Sequence, residues 1–203
     1  MKKILVIIFY FLAFSILVNA QENNIKKYIS KVGITFSSLG TDDVFYVENV
    51  VGDGSYKSRN IYAFGFNYTL ELNKWIELET GIEYSKHNIT ITPAYTGIEV
   101  QPYKTNFALL NIPVTARINF LKYFFINGGF IIDIDVSSNH HVNEQTGIGA
   151  ILGIAAKCDL NPKISVFLNP YSKIHSLIPL VENRFNQKVL ESGFRFGLMY
   201  KIK

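Results

Sequence analysis

Residues 61–72, IYAFGFNYTLEL, alternate strictly between two kinds of side chain. Successive side chains of a β-strand point to opposite faces, so this stretch predicts a strand with one apolar face and one face of small or polar side chains. The apolar face carries Tyr62, Phe64, Phe66, Tyr68, Leu70 and Leu72, and the opposite face carries Ala63, Gly65, Asn67, Thr69 and Glu71.

The same alternation recurs along the chain. Residues 76–84, 108–120, 124–136, 148–158 and 193–202 repeat it clearly, and residues 31–39 and 164–171 fit more loosely. These segments predict about eight strands of roughly 9 to 13 residues, whereas strands of soluble proteins are more often near 5–6 residues long. A tilted strand needs about 9–11 residues to cross a membrane, so the lengths favour a transmembrane barrel.

The connections between these segments alternate in length. Short turns are expected at residues 73–74, 121–123 and 160–163, and longer polar loops at residues 40–60, 86–105, 137–146 and 172–191. Tight periplasmic turns and longer external loops characterise outer-membrane barrels. The sequence therefore predicts an all-β fold, an eight-stranded antiparallel up-and-down transmembrane β-barrel.

The direction of the apolar face separates two kinds of barrel. A soluble lipocalin-like barrel keeps its apolar face inside around a ligand, and a membrane barrel turns that face to lipid. Aromatic side chains near the strand ends suit the interfacial girdles of a membrane barrel, and they favour this alternative. They include Tyr62, Trp75, Tyr84, Phe120, Tyr123, Phe124 and Tyr200.

The first twenty residues have the pattern of a secretory signal peptide. Lys2 and Lys3 precede an apolar run from Ile4 to Val18, and Ala20 ends a permissive cleavage site. The run is shorter than the roughly 20 residues of a membrane-spanning helix. We expect residues 1–20 to be cleaved, residues 21–203 to form one barrel domain, and the general secretory route to deliver it to the bacterial outer membrane.

Bulk composition excludes other classes of protein. The formal net charge is +4, and the Lys and Arg residues are scattered, which argues against a nucleic-acid partner. Cys158 is the only cysteine, so stability cannot come from internal disulfides. A closed barrel, in which every strand is paired, would supply it instead.

Three segments resemble those of a known family. The run from Leu110 to Arg117, LNIPVTAR, resembles the "LEIPLxxK" strand of the PorT-like outer-membrane β-barrel proteins of Bacteroidetes, with Asn111 where that family usually carries Glu. Residues 78–86, LETGIEYSK, and residues 32–37, VGITFS, are similar to two further strands of that family. The resemblance implies an eight-stranded outer-membrane barrel and implies no activity.

Pro113 lies within one of the predicted strands. Proline has no N–H to donate to a strand ladder, so it is disfavoured in a fully paired strand. We expect a β-bulge or a locally broken pair at this position.

The polar face predicts what fills the lumen. An eight-stranded barrel is just wide enough for side chains to fill, and charges inside it must pair or meet water. We expect a structural charge network that packs the lumen, and an ion path or gated pore is the alternative. The network comprises Glu77, Glu79, Glu83, Arg117, Asp133, Asp135, Lys157 and Arg195.

Catalysis and metal binding have weaker support from the sequence. His87 and His175, with Ser85 or Ser176 nearby, could belong to a barrel enzyme that modifies outer-membrane lipids. His140 and His141 are adjacent in a predicted loop, where two neighbouring rings point apart and make a poor metal site.

We therefore expect a non-enzymatic protein without cofactor or metal. Its role would be structural, or would depend on binding at its loops. The expected surroundings are outer-membrane lipid, and a protein or small molecule at the external loops is the expected partner. We expect the barrel to be a monomer.

Overall fold

The eight-stranded barrel expected from the alternation is confirmed. The computed structural model describes residues 28–46, 55–93, 97, 101–137, 142–181 and 187–202. These residues form eight antiparallel strands in a closed ring, in which each strand pairs with its sequence neighbours and β8 pairs with β1. The strands are β1 (Ile29–Tyr46), β2 (Ser55–Glu71), β3 (Ile76–Thr92), β4 (Tyr103–Phe120), β5 (Phe124–Asp135), β6 (Gly147–Asp159), β7 (Ile164–Pro179) and β8 (Gln187–Lys201).

The apolar face of the wall points outward. Phe66 in β2 is 62% exposed, whereas Gly65, Asn67 and Thr69 of the same strand are buried inside the ring. A lipocalin-like barrel would have the opposite orientation, so the soluble alternative is excluded. The outward apolar belt comprises Ile34, Phe36, Tyr62, Phe64, Phe66, Ile76, Leu78, Ile82, Tyr84, Val114, Ile118, Ile126, Phe130, Ile132, Leu152, Ile154, Phe194, Phe196 and Leu198.

The described residues contain no helix long and apolar enough to cross a membrane. The predicted signal peptide at residues 1–20 lies outside the described part of the chain.

The strands are longer than the sequence pattern predicted, and three of the four long loops are shorter than predicted. β1 reaches residue 46, β3 reaches residue 92, and β7 reaches residue 179. The predicted loops at residues 40–60, 86–105 and 172–191 therefore reduce to the chain between residues 46 and 55, 92 and 103, and 179 and 187. Backbone pairing continues through polar sequence here, because strand pairing does not require an apolar outer face.

The two faces of β3 exchange their polarity towards the end of the strand. The outward side chains are mostly apolar up to Tyr84 and polar from Lys86 on, whereas the inward ones stay polar through His87 and become apolar at Ile89 and Ile91. An exposed polar face with an apolar interior is the pattern of a sheet in water. We call the ends of β1, β2, β3, β4 and β8 on this side the outer extension. Its buried core comprises Ile89, Ile91, Phe107, Leu109, Val142 and Val189.

Pro113 interrupts the ladder between β3 and β4. Thr80 pairs with Val114 and Glu83 pairs with Asn111, but the positions between these two pairs are unpaired, with no shift in register. On the other side Pro113 stays paired with Ile131 of β5. The expected broken pair is thus confirmed, and it takes the form of a local gap because the proline lacks the N–H that would bond to β3.

We predict that Phe66→Lys destabilises the membrane-inserted barrel by about 2–4 kcal/mol, because Phe66 lies at the middle of the apolar belt. Reversible denaturant unfolding in phospholipid vesicles measures this. Thr92→Lys is the control, since Thr92 is exposed at the end of β3 in the outer extension, and it should change the unfolding free energy little. Equal effects of the two substitutions would contradict the assignment of the belt.

Candidate functional site: the charged lumen

The interior of the ring is crowded with charged and amide side chains. Of the network residues expected from sequence, Glu77, Glu79, Glu83, Arg117, Asp133 and Arg195 are buried and directed inward. Lys157 is half-buried. The contacts of these groups divide into three layers along the barrel axis, which we name periplasmic, middle and upper, the upper layer being next to the outer extension.

The periplasmic layer closes the end of the barrel at the short turns. Lys31 Nζ lies 2.6 Å from Glu71 Oε1 and 3.1 Å from Glu77 Oε1. Lys157 Nζ donates to Asn119 Oδ1 at 2.6 Å. A cavity of about 330 Å³ opens to this end of the barrel, and Lys31 and Glu71 lie at its wall.

The middle layer is organised around one carboxylate. Arg117 Nε donates to Glu79 Oε2 at 2.6 Å, and Arg195 Nη1 donates to Glu79 Oε1 at 3.4 Å. The Arg117 guanidinium also lies 4.7 Å from the ring centre of Phe125 and 4.9 Å from that of Phe167. Two cations therefore share one buried anion, and aromatic faces provide additional compensation for the charge of Arg117.

The upper layer is centred on a lysine that crosses the lumen. Lys173 of β7 forms an ion pair with Glu83 of β3 and lies 3.2 Å from Glu191 Oε1 of β8. Tyr171 OH donates to the same Glu191 oxygen. The ammonium group of Lys173 thus connects three strands, and every side chain that takes part in these contacts is buried.

Two histidines lie beside this lysine, both fully buried. His175 Nε2 is 2.9 Å from Glu191 Oε2, and its Nδ1 is 3.1 Å from Asp133 Oδ1. His87 Nδ1 is 3.0 Å from Asp42 Oδ1, and its ring stacks on Phe107 at a centroid distance of 4.5 Å. The sequence placed both histidines in loops, whereas the structure places them on β3 and β7 inside the barrel.

Asp42, His87 and Ser85 have the connectivity of a hydrolytic triad. Ser85 Oγ lies 3.0 Å from His87 Nε2, on the opposite side of the ring from Asp42. A triad needs this order of contacts, and it also needs a serine that a substrate can reach. Ser85 is fully buried and accepts a hydrogen bond from Asn111 Nδ2 at 3.1 Å. The contacts of a triad are therefore present without an open approach to the nucleophile.

Ser176, the second serine weighed with the histidines, has a different role. Its backbone N–H donates to Asp133 Oδ2 at 3.1 Å, and its carbonyl oxygen accepts a hydrogen bond from Lys188. Ser176 has a positive φ of 47° near the register shift between β6 and β7. The alternation of β7 is broken here, and Ser176 is buried together with His175 before it.

Asp135 lies at the rim instead of within the layers. Its carboxylate accepts hydrogen bonds from the backbone N–H groups of Ser137 and Gln145, at 2.9 and 3.1 Å. It therefore stabilises the start and end of the connection between β5 and β6. His140 and His141 of this connection lie outside the described residues.

Several lumen residues were missed by the sequence reasoning. Asp42, Lys173 and Glu191 all fell within predicted loops, although each is buried in the lumen. The signal was present in β7, where Phe167, Asn169, Tyr171, Lys173 and His175 occupy every second position and all point inward. Pro170 and the polar Ser172 on the outward face obscured this alternation.

Solved structures with the same fold are outer-membrane proteins. The outer membrane protein OprG from Pseudomonas aeruginosa superimposes with a TM-score of 0.50 at 9% sequence identity, covering 86% of this chain and 95% of that one. The outer membrane protein AlkL, solved in lipid bilayers, superimposes with a TM-score of 0.57 at 7% identity, covering 90% of this chain and 94% of that one. At such low identity the likeness supports the fold alone. No curated protein sequence matches this chain.

The family assignment comes from a family model. The model described as "Outer membrane protein beta-barrel domain" matches residues 19–199, which include all of the strands except the last two residues of β8. Together with the outward apolar belt and the closed ring, this match identifies the chain as a member of the outer membrane protein β-barrel domain family.

Proposed function

We propose that this protein is a non-conducting, non-enzymatic barrel of the outer membrane that holds a binding surface outside it. The filled lumen carries this proposal. Ion pairs occupy all three layers, and one ion pair each in the middle and upper layers crosses the lumen between strands that are not neighbours. Arg195 of β8 reaches Glu79 of β3, and Lys173 of β7 reaches Glu83 of β3. A hydrated ion would have to break these contacts in order to pass.

The outer extension is the proposed binding surface. Its buried apolar core gives it packing of its own, so it is a stable platform beyond the membrane instead of a set of loose loops. Exposed polar side chains such as Lys86 and Lys104 face the surroundings on its outer wall. Binding residues often lie on connections held by a rigid scaffold. A protein or small molecule at the outer connections is therefore the expected partner of a monomeric barrel.

Two finer assignments belong to the same proposal. The LNIPVTAR stretch at residues 110–117 supports membership of the PorT-like branch of Bacteroidetes barrels, and the pattern of residues 1–20 supports export through the general secretory route. Pro113 of that stretch lies at the gap in the ladder between β3 and β4.

A second candidate function is hydrolysis of an outer-membrane lipid. The contacts of Ser85, His87 and Asp42 favour it, because they reproduce the hydrogen-bond order that activates a serine nucleophile. Burial of Ser85 argues against it, since a lipid ester would have to enter the packed upper layer. The non-enzymatic proposal therefore stands first.

We predict that the folded barrel produces no stable channel in planar lipid bilayers. The triple variant Glu79→Ala/Arg117→Ala/Arg195→Ala should also stay closed, because it empties the middle layer but leaves the ion pairs of Lys173 in the upper layer in place. Single-channel recording compares the two proteins under identical salt. Steady conductance by the unaltered protein would overturn the closed-lumen proposal.

We predict that Arg117→Ala lowers the unfolding free energy by about 3–5 kcal/mol and lowers the melting temperature in detergent, because Glu79 loses its closest cation inside the barrel. Arg117→Met should destabilise similarly, since it keeps much of the packing on Phe125 and Phe167 but removes the charge. Lys104→Ala is the control, because Lys104 is exposed. An unchanged melting temperature for both Arg117 variants would contradict a stabilising plug.

We predict that Ser85→Ala leaves the lipid composition of the outer membrane unchanged, because the serine is sealed in the upper layer. Mass spectrometry of lipids from cells that express either protein makes the comparison, with cells lacking the protein as the reference. If the unaltered protein alters lipid acylation relative to that reference and Ser85→Ala abolishes the change, the hydrolase is correct and the non-enzymatic proposal is wrong.

A further inference from the structure

We propose that His87, His175 and Glu191 form a binding site for a divalent transition-metal ion of the Zn²⁺ type, inside the lumen. The proposal goes beyond a closed barrel with an external platform, because it assigns a ligand to the upper layer. It rests on the convergence of three ligand atoms, on the groups that orient them, and on the charge of their surroundings.

The three ligand atoms come from three strands and meet at one place. His87 is on β3, His175 on β7 and Glu191 on β8, and one ligand atom of each lies within 4.8 Å of the others. Glu191 Oε2 is 2.9 Å from His175 Nε2 and 3.8 Å from His87 Nε2. Tetrahedral zinc with bonds near 2.0–2.1 Å places its ligands roughly 3.3 Å apart, so the His87 ring must move towards the other two ligands when an ion binds. Two imidazoles and one carboxylate are a known ligand set for Zn²⁺.

Both rings are oriented for this role by carboxylates behind them. Asp42 lies 3.0 Å from His87 Nδ1, and Asp133 lies 3.1 Å from His175 Nδ1. A carboxylate partner favours a proton on Nδ1, which leaves the Nε2 lone pair of a neutral ring available to a metal. The two rings are nearly perpendicular, with an interplanar angle of 81° and a centroid distance of 5.5 Å. The hydrogen-bonded carboxylate–histidine pair of a metal site is thus present at His87, while at His175 the carboxylate of Asp133 is close to Nδ1 without forming a hydrogen bond.

The charge of the upper layer also favours a cation at this point. Asp42, Glu83, Asp133 and Glu191 are all buried there, and among the described residues the nearby buried ammonium groups are those of Lys173 and Lys188. Carboxylates in a dry interior need compensation. One divalent ion held by the two histidines and Glu191 would provide it. The Nε2 atoms of His175 and His87 lie 2.9 and 3.8 Å from the same oxygen, Glu191 Oε2, so one ion could contact all three atoms.

The remaining coordination position has a plausible occupant nearby. Ser85 Oγ is 3.0 Å from His87 Nε2, so this hydroxyl or a water held by it would face the ion. Phe107, which stacks on His87, belongs to the apolar core above and separates the site from the outer connections. A bound ion would thus join β3 to β7 and β8 across the lumen, in a site built for structure instead of turnover.

The experiment uses a variant in which the proposed site contains the only remaining histidines. The chain has four histidines and one cysteine. His140→Ala/His141→Ala/Cys158→Ala therefore keeps only His87 and His175 and removes the exposed thiol. This barrel is prepared without a histidine tag, stripped with a chelator in the unfolded state, and refolded in detergent with Co²⁺ alone or with Co²⁺ and Zn²⁺ together. Folding is checked by heat-dependent gel mobility.

We expect one Co²⁺ per chain, with the visible absorption of a four-coordinate nitrogen and oxygen site, and competition by Zn²⁺. The melting temperature should rise with Zn²⁺, because the ion binds the folded state. A barrel that folds in the presence of either ion and binds neither would overturn the proposal.

Further substitutions in the same background locate the site. His175→Gln should abolish the Co²⁺ spectrum, and Asp133→Asn should weaken binding by about 10–100-fold by removing the carboxylate behind His175. Lys104→Ala is the matched surface control and should bind as tightly as the parent. Full binding by a folded His175→Gln barrel would also overturn the proposal. If His175→Gln does not fold, Co²⁺ binding by the parent variant and the weakening by Asp133→Asn decide the question.

Discussion

The constraint on which the structure depends is that every charge inside a narrow barrel must be compensated by another side chain. An eight-stranded ring leaves little room for bulk water, and a buried ion without a partner costs several kcal/mol. Glu79 meets this demand with two guanidinium groups, and Lys173 meets it with two carboxylates. The pairs Arg195–Glu79 and Lys173–Glu83 cross the lumen between strands that are not neighbours, so they also constrain how the ring closes. The interior is thus at once the stabilising element and the barrier to passage.

Each long strand passes through two surroundings, and its sequence changes accordingly. In β3 the inward side chains change from Glu77, Glu79 and Glu83 to Ile89 and Ile91, while the outward ones change from apolar to polar. Lipid requires an apolar outer face and tolerates a polar interior, whereas water imposes the reverse. The inversion therefore marks where the barrel leaves the membrane. It explains why the outer face of β3 is apolar along one part of the strand and polar along the other.

The sequence predicted those features that depend on local periodicity. The outward direction of Phe66, the count of strands and the interruption at Pro113 all follow from alternation or from the missing proline N–H. It did not predict Lys173 opposite Glu83, because these residues are 90 positions apart and their meeting depends on the register of every strand between them. Asp42 was missed for a local reason, since the register shift between Ser38 and Thr41 breaks the alternation of β1. Long-range pairing and bulges carry no simple periodic signal.

The position of His87, His175 and Glu191 determines which chemistry the lumen can support. It lies between the ion pairs of Lys173 below and the apolar core around Phe107 above, so a substrate would have to displace one of two packed layers to reach Ser85. A small ion has no such difficulty during folding, because it can be enclosed as the strands meet. The same burial that argues against a hydrolase is thus an advantage for a structural metal, since a dry site strengthens each electrostatic bond to the ion. Recognition of a larger partner then falls to the outer extension, where side chains face water and the packed core holds their positions.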